Sequence, residues 1–435
     1  MIKKRFLLFF LIFPLHIHAQ VDSLLTLKQA IEIALKNNFD IRLANNNTEH
    51  QNNENTIGNA GMLPNVDLNG TYKRSNNSLK QKYNSGEEVN SDASVSTNTM
   101  ADLGATWTIF DGLKMFRTKE KLTELSLMSQ DQLKIQIESS LEEVISSYYF
   151  IVRQKQLLAA IKKELSLSEE RVKLAERKLQ NGSGSKLDWL QTITEYNRQR
   201  SIEINLETTG TSARFNLNRL LGRNIEVAFI VEDTVIINYK PVINELKKSI
   251  ENNNSVLNYY KKNQRIAKLG LGEIKSIRWP VIRLNADYVY SKNTNENGFS
   301  LLNQLEGFNY GITAAIPLFH GFNINRQIKN SRLDMINSDI VYESASAQVQ
   351  LDLTTAWLLF SNNLELLMIE EKNIGYAREV LIIANERYRI GVSNSVEQQE
   401  AQRTFEAAMN RLADARYNTK ISETSLRRIN GDLVK

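Results

Sequence analysis

Few side chains in this sequence could make or break a bond. It has no cysteine, and two of its four histidines, His16 and His18, fall within the first twenty residues. Thiol nucleophiles, disulfide scaffolds and cysteine-zinc sites are excluded. His50 and His320 alone are too few for a histidine metal site or a catalytic triad. Residues Gly182-Ser183-Gly184-Ser185-Lys186 hold part of a phosphate loop, without its preceding strand or its full spacing. Gly270-Leu271-Gly272 is too short for a dinucleotide fingerprint. No cofactor, no metal and no enzymatic activity are expected. What remains is a set of acids beside glycine turns. Asp188 follows Gly182 and Gly184; Glu397 and Glu400 follow Gly391 and Ser393. By themselves these are solvated acids near helix N-termini, where the dipole favours them.

The chain that positions these residues starts with an export signal. Lys3, Lys4 and Arg5 precede an apolar run and then Ala19, so residues 1–19 read as a signal peptide. The run is too short for a spanning helix, which needs about 20 residues. The formal charge of +5 over 435 residues falls to about +2 once the signal is removed, which leaves no footprint for nucleic acid. The mean hydropathy of -0.37 is polar, but barrel strands give weak hydropathy signals, so a membrane location stays open.

Proline and glycine mark the breaks. Beyond Pro14, the prolines are Pro64, Pro241, Pro280 and Pro317. Neither residue type occurs between Lys114 and Asn181, and between Asn323 and Ile390 only Gly375 does. Each stretch predicts one helix about 100 Å long. Apolar residues recur every seven positions, at Ile137, Val144, Ile151, Leu158, Leu165, Val172 and Leu179. They do so again at Leu353, Phe360, Leu367, Ile374, Leu381 and Tyr388. Such heptads are a coiled-coil signal. The seams are narrow and the other faces polar, as in the wall of a tube.

The chain is also duplicated. Phe110-Asp111-Gly112 and Phe319-His320-Gly321 are 209 residues apart, as are Gly182 and Gly391, Arg117 and Arg326, and Gly222 and Gly431. Each repeat carries two alternating runs of the length that crosses a bilayer in a tilted barrel. The segments between them, 75–100 and 291–307, have the polar composition of long loops. Four strands cannot close a barrel, whose smallest bacterial members have about eight. Several chains would therefore share one.

In this order of elements the chain resembles the TolC family of outer-membrane efflux ducts. The likeness covers the mature chain and includes the opening helix, Leu27-x-x-Ala30-x-x-x-Ala34-Leu35-x-Asn37-Asn38. The family's strand-to-helix junction, close to Pro-Leu-Phe-Asp-Gly-Gly, stands here as Pro317-Leu318-Phe319-His320-Gly321-Phe322. In the first repeat it is Thr108-Ile109-Phe110-Asp111-Gly112-Leu113. Both copies lack the second glycine, and the second copy has His320 for aspartate. The resemblance implies a mostly helical fold with a membrane β-barrel. Very long antiparallel helices would form a periplasmic α-helical barrel, and four strands per chain a trimeric twelve-stranded β-barrel. The expected first repeat, 20–222, has a helix, strands 64–75 and 101–110, a long helix 113–181 and a helix 186–221. An equatorial linker follows at 223–241. The second repeat, 242–435, has a helix, strands 280–290 and 308–318, a long helix 322–390 and a helix 395–429.

The implied function is a passive outer-membrane exit duct of a tripartite efflux or type I secretion system, anchored by its barrel and not lipidated. Its partners would be a periplasmic adaptor, an inner-membrane pump of the RND or ABC type, and outer-membrane lipid. The tips at Gly182, Gly184, Gly391 and Ser393 would contact the adaptor. Glu397, Glu400 and Asp188 would ring a cation-selective periplasmic entrance, with Tyr388 and Asp188 as its latch. The family's latch arginine is Ser393 here, which implies a weaker closed state. The alternative is a soluble periplasmic coiled-coil scaffold.

Overall fold

A computed structural model describes residues 23–298 and 300–433; the expected signal peptide lies outside them. The first repeat runs β1 (Ser23–Leu25), α1 (Leu27–Asn37), α2 (Phe39–Glu54), β2 (Asn65–Lys82), β3 (Glu88–Phe110), α3 (Lys114–Gln180) and α4 (Lys186–Leu220). After β4 (Phe229–Val231), the second runs α5 (Ile243–Asn253), α6 (Ser255–Ser276), β5 (Val281–Asn295), β6 (Leu302–Ala315), α7 (Asn323–Arg389) and α8 (Ser395–Ile429). The helices α3 and α7 have 67 residues each, and α4 and α8 have 35 each. Equal lengths in corresponding positions are the structural form of the duplication. Two compact units divide the chain, and each draws on both repeats.

One unit contains residues 40–138, 241–355 and 427–435. Its sheet has the order β2-β3-β5-β6, antiparallel throughout. Alternation separates its two faces. Along one face, Leu68, Leu103, Tyr288 and Phe308 lie in register, as do Val66, Ala105, Ala286 and Tyr310. Many of these side chains are exposed, Tyr310 by 82% and Leu68 by 76%. The other face is polar and laced by side-chain hydrogen bonds: Asn69 to Asp102, Thr106 to Asn285, Asn285 to Thr313 and Asn309 to Asp287. No helix among the described residues is long and apolar enough to cross a membrane. The sheet carries the membrane-suited surface, and among the described residues its outer strands β2 and β6 have unpaired edges.

The strands outrun their sequence signal. The segment 75–100, expected as a loop, continues the β2–β3 ladder through Ser75 and Ser96 to Lys82 and Glu88. A Lys82–Glu88 ion pair of 2.6 Å stands near the turn. Backbone pairing needs no apolar face, so the ladder persists where alternation fades. Similarly β5 extends to Asn295 and β6 begins at Leu302. β6 ends at Ala315, before Pro317, which has no N–H for a ladder.

The other unit contains residues up to 39, 139–240 and 356–426. Here β1 pairs in parallel with β4, and the buried Tyr148 donates its hydroxyl to the Leu25 carbonyl at 3.0 Å. Burial pushes the Tyr148 pKa up to about 12. The α7 seam is buried as its heptad predicts, at Leu367, Leu381 and Tyr388. Small Ala377, Ala384, Ala401 and Ala408 let α7 and α8 meet closely around Leu381 and Phe405. In the corresponding part of α3 the buried stripe is Leu157, Ile161, Glu164, Ser168 and Ala175. The heptad line at Leu158, Leu165 and Val172 is only half-buried.

Each opening helix is broken by one asparagine, Asn38 between α1 and α2 and Asn254 between α5 and α6. Both have extended backbones, with ψ of 131° and 120°. Asn38 donates its amide to the Leu220 carbonyl at 2.8 Å, and Asn254 does the same to Ile429 at 2.8 Å. Gly222 and Gly431 follow these helix ends at φ of 62° and 74°. A Cβ on Gly222 would stand 2.3 Å from the Asn37 carbonyl oxygen, and one on Gly431 2.4 Å from that of Asn253. Only glycine combines that φ with that approach.

Candidate functional site

The two helical hairpins end in matching turns. Helix α3 stops with Gly182 at φ 70° and α7 with Gly391 at φ 81°. In turn one, Ser183 and Gly184 donate backbone N–H groups to the Lys178 carbonyl at 2.9 Å each. In turn two, Val392 and Ser393 donate to the Arg387 carbonyl at 3.0 and 3.2 Å. These bonds satisfy carbonyls that a helix end leaves open, with glycine taking the left-handed position. Gly184 has a further reason to be glycine, since a Cβ there would meet the Lys178 Cβ at 2.8 Å.

The next helices start differently. Ser185 caps α4 by accepting from the Asp188 N–H at 3.0 Å, and its hydroxyl donates to Asp188 Oδ2 at 3.0 Å. In turn two the cap is Asn394, which accepts from the Glu397 N–H at 2.9 Å. Ser395 does not cap α8; it is buried and donates to Asp188 Oδ1 at 2.8 Å. Gln191 Oε1 also lies 3.0 Å from that hydroxyl. The Asp188 carboxylate therefore ties the start of α4 to the start of α8.

Tyr388 is packed beside this contact, with Lys178 Nζ 4.9 Å from its ring centre. Its hydroxyl shares a hydrogen bond with Thr192, and burial followed by the Asp188 charge raises its pKa. Thr192 donates in turn to the Asp188 carbonyl at 2.8 Å. Tyr388 and Asp188 are thus brought together with Thr192 between them. Glu397 faces elsewhere. It accepts from Ser393 Oγ at 2.6 Å and Arg387 Nε at 3.1 Å. The Ser393 hydrogen bond, then the Arg387 charge, hold its carboxyl below the usual range. Glu400 is exposed and makes no ion pair among the described residues.

Above the turns lies a buried polar network that heptad reading did not single out. It uses every fourth residue: Glu195, Gln199 and Glu203 of α4, and Gln398, Gln402 and Glu406 of α8, all buried. Arg198 bridges Glu195 at 2.5 Å and Glu406 at 2.6 Å. Gln402 donates to Glu164 of α3 at 2.8 Å, and Gln199 to Glu406 at 2.9 Å. This explains why the α3 stripe includes Glu164. The four-residue spacing of large polar side chains is the signal that could have revealed it.

Paired long hairpins, and a separate antiparallel sheet with one apolar, exposed face, are the features of a membrane-inserted class of protein. The model of the family described as "Outer membrane efflux protein" matches residues 30–223 and 251–432, one stretch in each repeat. The chain belongs to this family and is an outer-membrane efflux protein. Among curated proteins it is similar to the alkaline protease secretion protein AprF of Pseudomonas aeruginosa, 21% identical over 401 residues, covering 91% of this chain and 82% of the relative. Among solved structures it resembles the CmeC outer-membrane channel of Campylobacter jejuni, with a TM-score of 0.79 and 15% identity, covering 94% of this chain and 86% of that one. The outer-membrane protein VceC of Vibrio cholerae gives a TM-score of 0.76 at 14% identity, covering 93% and 96%.

Proposed function

We propose that three copies of this chain assemble into a passive exit duct, closed at the helix tips, that works with a periplasmic adaptor and an inner-membrane pump. The observation that carries this reading is the sheet β2-β3-β5-β6, with an apolar face suited to lipid and two unpaired edges. Three such sheets supply twelve strands, enough to close a membrane barrel. The first repeat is assigned to 20–222, the linker to 223–241 and the second repeat to 242–435. No catalytic step is assigned, since a duct needs only an opening and a docking surface.

Turns one and two form the entrance in this reading. Gly182, Gly184, Gly391 and Ser393 present short backbone segments to the adaptor, and Asp188 and Tyr388 hold the closed state. Ring charge comes from Asp188, Glu397 and Glu400, a device that favours cations in pores. The tips hold together without the family's latch arginine, because Ser395 and Thr192 occupy Asp188 and Tyr388. In planar bilayers, the combination Tyr388→Phe with Asp188→Ala is expected to raise single-channel conductance above the parent protein. Equal conductance would remove the latch from this account. Migration of the unboiled protein as a monomer in SDS gels, from a soluble fraction, would remove the trimeric duct.

A further inference from the structure

Helix α4 runs unbroken through Thr208-Thr209-Gly210-Thr211-Ser212, a run of poor helix formers. Glycine inside a helix is destabilising, and no crowding requires it here. A Cβ on Gly210 would meet only the Gln154 Cβ, at an ordinary 3.8 Å. What the missing side chain leaves is space. Gly210 lines a cavity of about 550 Å³ between α3, α4 and β4, a size that suits a small ligand. Its walls are apolar at Ile151, Leu158, Leu206, Phe229 and Val231. Gln154 also lines it and is only 5% exposed, and its side-chain oxygen has no hydrogen-bond partner among the described residues. A buried acceptor left unpaired is costly, so this one points to a donor from outside the chain.

Of the cations that border this cavity, the two lysines are matched. Lys155 pairs with Asp233 at 2.5 Å and Lys162 with Glu207 at 2.7 Å. Arg214 has only Thr211, to whose hydroxyl its Nη2 donates at 3.1 Å, and it forms no ion pair among the described residues. We propose that the cavity binds the carboxyl-terminal end of a partner's extended peptide. The terminal carboxylate meets the Arg214 guanidinium, a backbone N–H is accepted by Gln154, and the last apolar side chain fills the space over Gly210. Guanidinium and carboxylate match as two-pronged planar partners. The spacing also fits. Gln154 abuts Gly210, and Arg214 lies one helical turn further along α4, about 5.4 Å. An extended chain rises about 3.4 Å per residue, so an N–H and a terminal carboxylate one or two residues apart span that turn. A fatty acid would satisfy Arg214 but offers Gln154 no donor. The site lies within one chain, so it stands whether or not three copies assemble.

The test titrates the full chain in detergent, by calorimetry, with an acetylated dileucine peptide bearing a free carboxylate. Its carboxamide, its form N-methylated at the last residue, and decanoate serve as comparisons. The free acid is expected to bind about tenfold or more tighter than the carboxamide or the N-methylated form. Arg214→Gln should abolish the preference for the acid and Gln154→Leu that for the N–H, each leaving the other preference in place. Side chains that merely support the fold would weaken every ligand alike, and that result would overturn the site. So would equal binding of decanoate, or no heat at about 1 mM peptide. The absence of cysteine allows a second readout. Leu206→Cys is expected to react freely with a maleimide and to be protected by the free acid. If it is unreactive without peptide, the cavity is filled by a second copy and the proposal falls.

Discussion

At turn two the charge of each acid is set by its immediate neighbours. Glu397 is held by Ser393 and Arg387, whereas Glu400 stands alone in the solvent. An ion pair presents less field to a passing ion than a bare carboxylate, so the two glutamates contribute unequally. Glu400→Gln is expected to lower the cation-to-anion permeability ratio more than Glu397→Gln. Arg387→Ala is expected to raise the ratio, because it frees Glu397; reversal potentials in planar bilayers read all three. Acidification tests the same contacts. The folded-state pKa of Glu397 is depressed, so its contribution to the turn is complete above the ordinary carboxylate range. It is lost as pH falls through the lowered value. Ser393→Ala removes the first cause of that depression and should move the loss to higher pH, seen as earlier hydrogen exchange in residues 391–397. The acids and glycines of both turns were legible in the sequence, since glycine just past a long helix has one common use. Their partners were not. Whether Ser395 caps its own helix or reaches across to Asp188 depends on a neighbouring hairpin that local sequence does not contain.

At the scale of elements, the most consequential joints are the two in which an asparagine and a glycine meet from opposite ends of a repeat. Asn38 and Gly222 close one, Asn254 and Gly431 the other. Gly222→Ala combines left-handed strain with a Cβ inside the Asn37 carbonyl, so a loss above about 1 kcal/mol is expected. Asn38→Ala removes a buried hydrogen bond and leaves the Leu220 carbonyl unpaired, at a cost of about 1–3 kcal/mol. The two changes disrupt one contact, and their combination should cost less than the sum. Limited proteolysis between α1 and α2 checks this: each single variant is cleaved faster than the parent, and the double variant little faster than the worse single one. Sequence reading placed Gly222 and Gly431 at repeat-equivalent positions and placed Asn37-Asn38 in the opening helix. It could not join them, because nothing in the spacing says that residues 182 apart share a hydrogen bond. The long helices were legible for the opposite reason. An unbroken run without proline, with an apolar residue every seventh position, states its own structure. That method fails only where polar residues take the buried positions, as Glu164, Gln402 and Glu406 do.

For the whole molecule the question is what satisfies the open edges of the sheet. Within one chain β2 and β6 are separated by β3 and β5. At about 4.8 Å per strand step, their backbones are roughly 14 Å apart if the sheet is flat. A disulfide needs Cα atoms within about 7 Å, so no bridge can join these edges inside a chain. In a closed barrel of several copies, by contrast, β2 of one copy lies against β6 of the next. The native chain has no cysteine to confuse the result. Leu68 of β2 and Phe308 of β6 lie on the same apolar face and at the same level of the sheet. Leu68→Cys combined with Phe308→Cys, together with register-shifted partners Tyr310→Cys and Glu306→Cys, covers the offsets that barrel shear introduces. Mild oxidation in membranes is expected to give a ladder ending at a covalent trimer in at least one pairing. Each single substitution should stop at the monomer. A ladder that ends at a dimer, or none in any register, would mean that the edges are not joined in a threefold barrel. The apolar face would then need another way to enter the membrane.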